Sequence, residues 1–138
     1  LEASGPEDLF RIRQELREVM DHQMGVFHAE EGLLKAQAKV LELKARFEQV
    51  GLTDHTTVWN SELVAALELS NMLELAEVMV TGALERRESR GGHARRDYPR
   101  RDDEQFLRHT LAVRTPRGPA LSYIPVTITS WQPEERKY

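Results

Sequence analysis

The sequence predicts an all-α domain, a three-helix antiparallel bundle that is followed by a short β-like C-terminal extension. Three observations lead to this fold class. Apolar residues recur at steps of three and four over residues 9–20 and again over 33–50, which is the period of an α-helix. Residues 58–88 contain no proline and a single glycine, and beyond residue 106 the apolar period falls to two. We therefore expect residues 1–90 to form the bundle and residues 91–138 to form an arginine-rich loop and an extended tail of the same domain.

The first two helices are predicted from their apolar spacing and from their end signals. Ser4 and Glu7 have the spacing of a capping box, so the first helix should begin just after Ser4 and end near Gly25. The second should pack antiparallel to it and stop at Gly51, because glycine commonly follows a helix C-terminus. The apolar face of the first helix comprises Leu9, Ile12, Leu16, Val19 and Met20, and that of the second comprises Leu33, Ala36, Val40, Leu43, Phe47 and Val50.

The third helix is expected to run from about Val58 to Glu88, a length of about 45 Å at 1.5 Å per residue. Its apolar residues lie on more than one face, so it should be the central helix and touch both of the others. Gly91 and Gly92 are expected to end it, since glycine tolerates the positive φ of a sharp helix exit. A bundle of this kind is of the spectrin-repeat type.

The C-terminal region changes to a β-like pattern. The stretches "FLRHTLAVRT" and "ALSYIPVTIT" each alternate apolar and polar residues. Between them, "TPRGP" places Pro116 at the second position of a turn and Gly118 shortly after it. These signals predict a hairpin.

Composition and charge exclude several classes of protein. The 138 residues are 40% hydrophobic and 30% charged, and no stretch approaches the roughly 18 uninterrupted apolar residues of a membrane span. No secretory signal is expected in "LEASGPEDLF", and the lack of cysteine excludes disulfides and thiolate chemistry and favours a reducing compartment. The net charge of −4 is unevenly distributed: residues 1–85 carry seven basic and sixteen acidic residues, whereas residues 86–108 carry eight arginines and five acidic residues. Such asymmetry hints at an anionic partner for the basic segment, but its five acids and the acidic helices argue against nucleic acid.

The sequence predicts no active site of its own. Neither glycine-rich nucleotide-binding pattern is present, and no two histidines have the i, i+4 spacing that would place them on one helix face for a metal. His28 is expected to pair with a neighbouring acid, and Asp102 and Asp103 to serve as ion-pair partners of arginines. We therefore expect no catalytic, cofactor-binding or metal-binding residue in this chain.

One long pattern carries a resemblance to a known family. From Glu88 to Leu111 the chain reads E-S-R-G-x-H-x-R-x-D-[YF]-P-x-R-D-D-x-x-[FW]-L-x-H-T-L. Together with "VMDHQMGVFHAEEGL", "NSELVAALELSNML" and "LSYIPVTIT", it resembles the C-terminal portion of the flavoprotein subunit of succinate dehydrogenase and fumarate reductase. Two positions depart from the family, because His28 stands where arginine is common and Gly92 where alanine is usual.

The resemblance implies an oxidoreductase that interconverts succinate and fumarate with FAD, as in the tricarboxylic acid cycle or anaerobic electron transport. It implies that the cofactor and the active site lie in other domains, so that the isolated chain is inactive. The implied partners are the flavin-binding domain of the same polypeptide and an iron–sulfur subunit, which passes electrons to quinone. The implied location is cytoplasmic, at the inner face of the membrane. The isolated chain is also expected to be able to form a homodimer. Two alternatives stay open: the corresponding domain of L-aspartate oxidase or a related flavoprotein, and a free-standing helical interaction module with a basic loop.

The resemblance also suggests a role for the arginine-rich segment. We hypothesise that it joins the end of the long helix to the flavin domain, because arginine makes bidentate, charge-assisted hydrogen bonds that suit such a junction. The alternative is a loop that folds only on its own bundle. The residues of this hypothesised docking site are Arg90, Gly91, His93, Arg95, Asp97, Arg101 and Asp102.

Overall fold

The computed structural model describes residues 4–134, which form helices and two small sheets. In chain order the elements are α1 (Leu9–Gln23), β1 (Phe27–His28), α2 (Glu30–Phe47), α3 (Ser61–Glu85), β2 (Ala94–Arg95), α4 (Asp103–Phe106), β3 (Arg108–Thr115) and β4 (Gly118–Pro125). The predicted all-α class is therefore only partly right. Within residues 4–134 the fold is a mixture of three long helices, one short helix and paired strands.

The core lies where α1, α2 and α3 meet. The predicted apolar faces of α1 and α2 supply most of it, since Leu16, Val40 and Leu43 are almost completely buried. Helix α3 contributes Leu69 and Leu73 from the same side. Burial of one such side chain stabilises a fold by about 1.5–3 kcal/mol, so this cluster is the main source of stability. The cluster comprises Leu9, Ile12, Leu16, Val40, Leu43, Val50, Leu52, Leu69, Leu73 and Ala76.

Helix α1 starts later than its capping-box signal predicts. Asp8 is the N-cap, and its carboxylate accepts hydrogen bonds from the backbone N–H groups of Phe10 and Arg11. Ser4 instead forms an isolated β-bridge with Gly51. The predicted cap was wrong because Ser4 is held against the end of α2, while Asp8 stands next to the first apolar residue of the helix.

Helix α3 begins at a residue that caps it and ends before the predicted boundary. The side chain of Asn60 accepts from the backbone N–H of Leu63, and the helix then runs for 25 residues, about 37 Å. It ends at Glu85, so Gly91 and Gly92 lie beyond its end and do not form the predicted helix stop. Arg86 adopts an extended backbone conformation instead, and its guanidinium turns toward the start of the hairpin.

Strands β3 and β4 form the predicted hairpin. They pair antiparallel from Arg108 opposite Pro125 to Thr115 opposite Gly118, with Pro116 and Arg117 in the turn. Gly118 has a φ of 99°, a conformation that favours glycine. The second strand is shorter than "ALSYIPVTIT" suggests, because it ends at Pro125, which has no N–H to continue the ladder.

A cluster of charged side chains joins α1 to α2 outside the apolar core. Arg46 on α2 donates to Glu15 at 2.8 Å and to both carboxylate oxygens of Glu7, and Lys39 lies 2.8 Å from Glu15. The hydrogen bonds from Arg46 and Lys39 lower the pKa of Glu15 from its ordinary value of 4.5 to about 2. The charged form of Glu15 is therefore favoured by folding.

This shift predicts a loss of stability in acid. Since the pKa of Glu15 is lower in the folded chain than in the unfolded chain, its contribution is complete above pH 4.5 and disappears as the pH falls toward 2. We expect Glu15→Gln to lower the free energy of unfolding by about 1 kcal/mol at pH 7 and to have a smaller effect at pH 2. Urea unfolding at several pH values measures both effects.

The control for this prediction is Glu48→Gln, which changes an exposed carboxylate just after α2. We expect this variant to keep the pH dependence of the unchanged chain. An equal effect of Glu15→Gln at pH 7 and pH 2 would contradict the electrostatic explanation and indicate a packing effect instead.

None of the helices within residues 4–134 is both long enough and apolar enough to cross a membrane.

Candidate docking site in the arginine-rich loop

The segment from Arg86 to Asp103, called the arginine loop below, connects α3 to α4 and contains all of the predicted docking residues. It is held against the α1–α2 connection by strand β2. Phe27 and His28 of β1 pair in parallel with Ala94 and Arg95 of β2. The loop is therefore a folded part of this domain.

Glu88 lies at the centre of the arginine loop and was not among the predicted site residues. Its side chain is completely buried and accepts hydrogen bonds from Arg86 at 2.6 Å, from Arg90 at 2.8 and 3.0 Å, and from the backbone N–H of Asp102 at 2.8 Å. Burial alone raises the pKa of this carboxyl, but the hydrogen bonds from Arg90, Asp102 and Arg86 outweigh burial and hold the pKa below its ordinary value of 4.5. Glu88 therefore stays ionised and organises the loop.

Arg95 and Asp97 form a second ion pair directed into the domain. The guanidinium of Arg95 is 1% exposed and donates to both carboxylate oxygens of Asp97, at 2.8 and 2.7 Å. It also donates to the carbonyl of Ala83 at 2.8 Å, in the last turn of α3. The pairing with Arg95 lowers the pKa of Asp97. Asp97 in turn accepts from the backbone N–H of Glu30 at the start of α2, so the pair connects the ends of two helices.

Arg90 and Gly91 form the outer turn of the arginine loop. The backbone groups of Arg90 and His93 exchange hydrogen bonds of 2.8 and 3.0 Å, which close a tight turn over Gly91 and Gly92. Gly91 has a φ of 59°, and an added Cβ would meet no atom within 4 Å. The backbone conformation, and not a close approach, is therefore what favours glycine here.

Arg101 and Asp102 lie where the loop enters α4. Arg101 forms an ion pair with Asp103 at 2.8 Å and donates to the carbonyl of Pro133 at 3.3 Å. Asp102 is the N-cap of α4 and accepts from the backbone N–H of Gln105. Asp103 fits the expected ion-pair role, since it also accepts from Arg90. Asp102 uses its side chain as a cap instead.

His93 is half-buried and contacts a second histidine. Its Nδ1 lies 3.2 Å from Nε2 of His28, and its Nε2 lies 3.0 Å from the carbonyl oxygen of Arg86. His28 is buried, and its Nδ1 lies 2.7 Å from the carbonyl oxygen of Gly25. The expected pairing of His28 with an acid was therefore wrong, because its ring points to the arginine loop.

Arg86 is the other important residue that sequence reasoning missed. Besides binding Glu88, it donates to the carbonyls of Phe106 and Arg108 at 2.9 and 2.8 Å and to the hydroxyl of Thr110 at 3.1 Å. It thereby links the arginine loop to the start of the hairpin. No signal in the sequence indicated this role, because the predicted third helix extends to Glu88 and includes Arg86.

The outer side of the arginine loop faces an open groove. This groove has a volume of about 520 Å³ and is lined by Arg90, Gly91, His93 and Arg101, with Val26 and Phe27 at one edge. Phe27 is 68% exposed. Of the predicted docking residues, Arg90, Gly91, His93 and Arg101 thus line the groove, whereas Arg95 is buried with Asp97 as its partner and Asp102 caps α4.

The side chains of the arginine loop provide positive charge and hydrogen-bond donors. Within residues 4–134, no group of three or more His, Cys, Asp or Glu side chains could hold a metal ion. The two glycines of the loop form a turn after a helix and do not begin one, so they do not provide a phosphate-binding helix N-terminus.

Comparison with known proteins identifies the family. Residues 13–138 match the family described as fumarate reductase flavoprotein C-term, so the chain belongs to this family. It is 43% identical over 135 residues to the fumarate reductase flavoprotein subunit of Mycobacterium tuberculosis (strain CDC 1551 / Oshkosh), covering 97% of this chain and 23% of the relative. It is 39% identical over 120 residues to the succinate dehydrogenase flavoprotein subunit of Rickettsia conorii, covering 86% of this chain and 20% of the relative. The chain thus spans about a quarter or less of the length of these relatives.

Solved structures agree with this assignment. A chain of E. coli quinol fumarate reductase superposes with a TM-score of 0.92 at 37% identity, covering 98% of this chain and 24% of that one. A chain of the Mycobacterium smegmatis Sdh1 complex superposes with a TM-score of 0.78 at 26% identity, and the match covers 96% of this chain and 23% of that one. An adenylylsulfate reductase from Archaeoglobus fulgidus gives 0.79 at 24% identity and covers 96% and 22%, which shows a shared fold only. The resemblance stated from the sequence is therefore confirmed.

Proposed function

We propose that this chain acts as the C-terminal domain of an enzyme that interconverts succinate and fumarate, with electrons passing through FAD to an iron–sulfur subunit and quinone. The observation that supports this proposal most strongly is the nearly complete coverage of the chain by fumarate reductase and succinate dehydrogenase flavoprotein subunits. The residues of this chain do not form a dinucleotide-binding motif, so FAD would be held elsewhere in the polypeptide. The role of this domain is structural.

The experiment is to compare the full-length subunit with the 138-residue chain. We expect the full-length subunit to be yellow from bound flavin and to catalyse succinate-dependent reduction of a dye or the reverse reaction with fumarate. We expect the chain alone to be colourless and inactive. Flavin absorbance or dicarboxylate activity of the chain alone would contradict the assignment of a structural role.

We further propose that the arginine loop docks this domain onto the flavin-binding domain through Arg90, Gly91, His93, Arg95, Asp97, Arg101 and Asp102. Two features support this role. The ion pairs around Glu88 and Arg95 hold the backbone of the loop in one conformation, and preorganisation lowers the entropic cost of binding. The outward groove combines the guanidinium groups of Arg90 and Arg101 with the exposed ring of Phe27, and arginine and aromatic residues are enriched in interfaces.

The docking proposal is tested by changing residues that line the outward groove, one in the arginine loop and one in β1. Arg101→Ala combined with Phe27→Ala should destabilise the full-length subunit, by about 2 kcal/mol or more if these residues are interface hot spots, and lower its activity. The same pair of changes should alter the unfolding of the 138-residue chain less, because Phe27 is largely exposed there and the ion pair of Arg101 with Asp103 is partly exposed. Thermal unfolding of both proteins, with dye-reduction assays of the full-length subunit, gives the comparison.

A matched control is Arg117→Ala, which removes an exposed arginine from the hairpin turn. If the double variant and this control behave alike in the full-length subunit, the arginine loop does not dock on the flavin domain. Equal destabilisation of the full-length subunit and the isolated chain by the double variant would contradict docking in favour of a loop that folds only on its own helices.

The remaining features of the proposal concern assembly. We propose that helices α1, α2 and α3 form an antiparallel bundle of the spectrin-repeat type that supports the loop.

We also propose that the parent protein meets an iron–sulfur subunit at the inner, cytoplasmic face of a membrane. Solved relatives described as an Sdh1 complex and as quinol–fumarate reductase support the view that the parent works with other subunits. We propose that the isolated chain can form a homodimer through the apolar groove between α1 and α3, where Phe10, Leu75 and Met79 are exposed.

A further inference from the structure

Two imidazole rings that are 65 residues apart in sequence meet beneath the arginine loop. Nε2 of His28 and Nδ1 of His93 face each other at 3.2 Å, with ring centroids 4.8 Å apart. The parallel pairing of β1 with β2 fixes this approach, because the backbone N–H of Ala94 donates to Val26 and that of Arg96 donates to His28. The contact therefore closes the loop against the α1–α2 connection.

The outer nitrogen of each ring is already committed to a carbonyl group. Nδ1 of His28 lies 2.7 Å from the oxygen of Gly25, and Nε2 of His93 lies 3.0 Å from the oxygen of Arg86. A carbonyl oxygen can only accept, so both of these ring nitrogens must carry a hydrogen. A neutral imidazole has a single N–H, and it follows that two neutral rings in this arrangement would point two lone pairs at each other.

We propose that His28 and His93 form a proton-binding pair, in which one extra proton between the facing nitrogens gives the pair a single positive charge and closes the arginine loop. The N–H of one ring then donates to the lone pair of the other, and all four ring nitrogens are satisfied. When the proton leaves to solvent, the pair keeps two protons for three hydrogen bonds. One of the three hydrogen bonds must then be given up, and because two facing lone pairs repel each other, we expect the lost bond to be one of those to a carbonyl, of Gly25 or of Arg86.

The arginines close to the pair have carboxylate partners of their own. Arg86 and Arg95 act on His93, but Arg86 is paired with Glu88 and Arg95 with Asp97. From α2, Glu30 lies two residues after His28 and also acts on Arg95. Burial, reinforced by the neighbouring positive groups, lowers the pKa of His93, whereas its hydrogen bond to the carbonyl of Arg86 acts in the opposite direction. A hydrogen bond to the lone pair of the other ring also favours the charged form.

The number of protons on the two rings determines how the closed arrangement responds to pH. The closed arrangement holds three protons on the two rings and the neutral pair holds two, so the closed arrangement is favoured below the midpoint of the pair and weakened as the pH rises through it. Because the two rings share the proton, they titrate as one unit with a common midpoint. This inference does not depend on the proposed docking to a flavin domain.

The test uses the 138-residue chain with ¹⁵N-labelled histidine and long-range ¹H–¹⁵N NMR spectra between pH 5 and pH 8.5, which report the protonation of each ring nitrogen. We expect His28 and His93 to share one midpoint and to release one proton between them. Above it, one ring should change tautomer, and the amide N–H of Val26 or Arg87 should shift, since each belongs to the peptide group of a carbonyl acceptor. His22 and His109, which are exposed, serve as internal references.

Two results would overturn the proposal. One is a pair of neutral rings over the whole pH range with the hydrogens on Nδ1 of His28 and Nε2 of His93. The other is two separate titrations that charge each ring fully. As a second measurement, His28→Ala should lower the midpoint of His93 by about one pH unit or more, because the acceptor for its extra proton is gone. A midpoint of His93 that is unchanged in this variant, and equal to that in the control His22→Ala, would also overturn it.

Discussion

Replacing Glu88 with alanine is expected to lower the free energy of unfolding by about 3–5 kcal/mol, because the guanidinium groups of Arg86 and Arg90 would be left partly buried without their carboxylate. This is a large fraction of the stability of a single domain. The backbone N–H of Asp102 would also lose its acceptor. Urea unfolding of the 138-residue chain, followed by circular dichroism, measures the change.

Glu88→Gln separates the charge from the shape of the side chain. The amide is nearly isosteric and can still accept hydrogen bonds, so we expect a loss of about 1.5–3 kcal/mol. The matched control is Glu104→Ala, which removes an exposed carboxylate from α4 in the same part of the chain and should change stability by less than about 0.5 kcal/mol. If Glu88→Ala costs no more than this control, Glu88 does not organise the loop.

Arg95→Ala is expected to lower the free energy of unfolding by about 3–5 kcal/mol as well, because it also breaks an ion pair that has a buried member. The substitution leaves Asp97 without its bidentate partner and frees the carbonyl of Ala83 at the end of α3. Arg95→Lys should recover only part of this loss, since lysine carries the charge but cannot make two parallel hydrogen bonds to one carboxylate. Urea unfolding of both variants gives the comparison.

The neighbouring residue provides the control for Arg95. Arg96 is exposed, and its guanidinium lies 6.0 Å from the ring of Phe27 at the surface. Arg96→Ala should cost about 1 kcal/mol or less. Equal effects at positions 95 and 96 would contradict the inward role of Arg95, and full recovery by lysine would show that charge alone matters there.

The regular elements could be predicted because they depend on local patterns. The apolar spacing of Leu9, Ile12 and Leu16 is the same in the sequence and in the core, and the turn at Pro116 follows from the geometry of proline. The predicted ends of the helices were less accurate. Asp8 replaces Ser4 as the cap of α1, and α3 ends at Glu85. Both differences arise from contacts with distant parts of the chain, the end of α2 for Ser4 and the hairpin for Arg86.

The docking residues could be selected by resemblance, but their directions could not be predicted. Asp97 points to the start of α2 and Arg95 to the end of α3, whereas Arg90 and Arg101 border an open groove. Glu88 was missed because nothing in the sequence distinguishes it from the other four acidic residues that lie among the eight arginines. Its burial depends on the chain returning at Asp102, which no local pattern encodes.

Arg86 has a mechanical consequence for the whole domain. Its guanidinium touches the buried carboxylate of Glu88, the carbonyl of Phe106 and the first part of β3, while its own backbone belongs to the exit of the longest helix. A two-stranded ribbon is at best marginally stable alone in water. The ribbon therefore depends on α3 for its rigidity, through Arg86 at its base and through the ion pair of Arg114 with Glu74 further along β3.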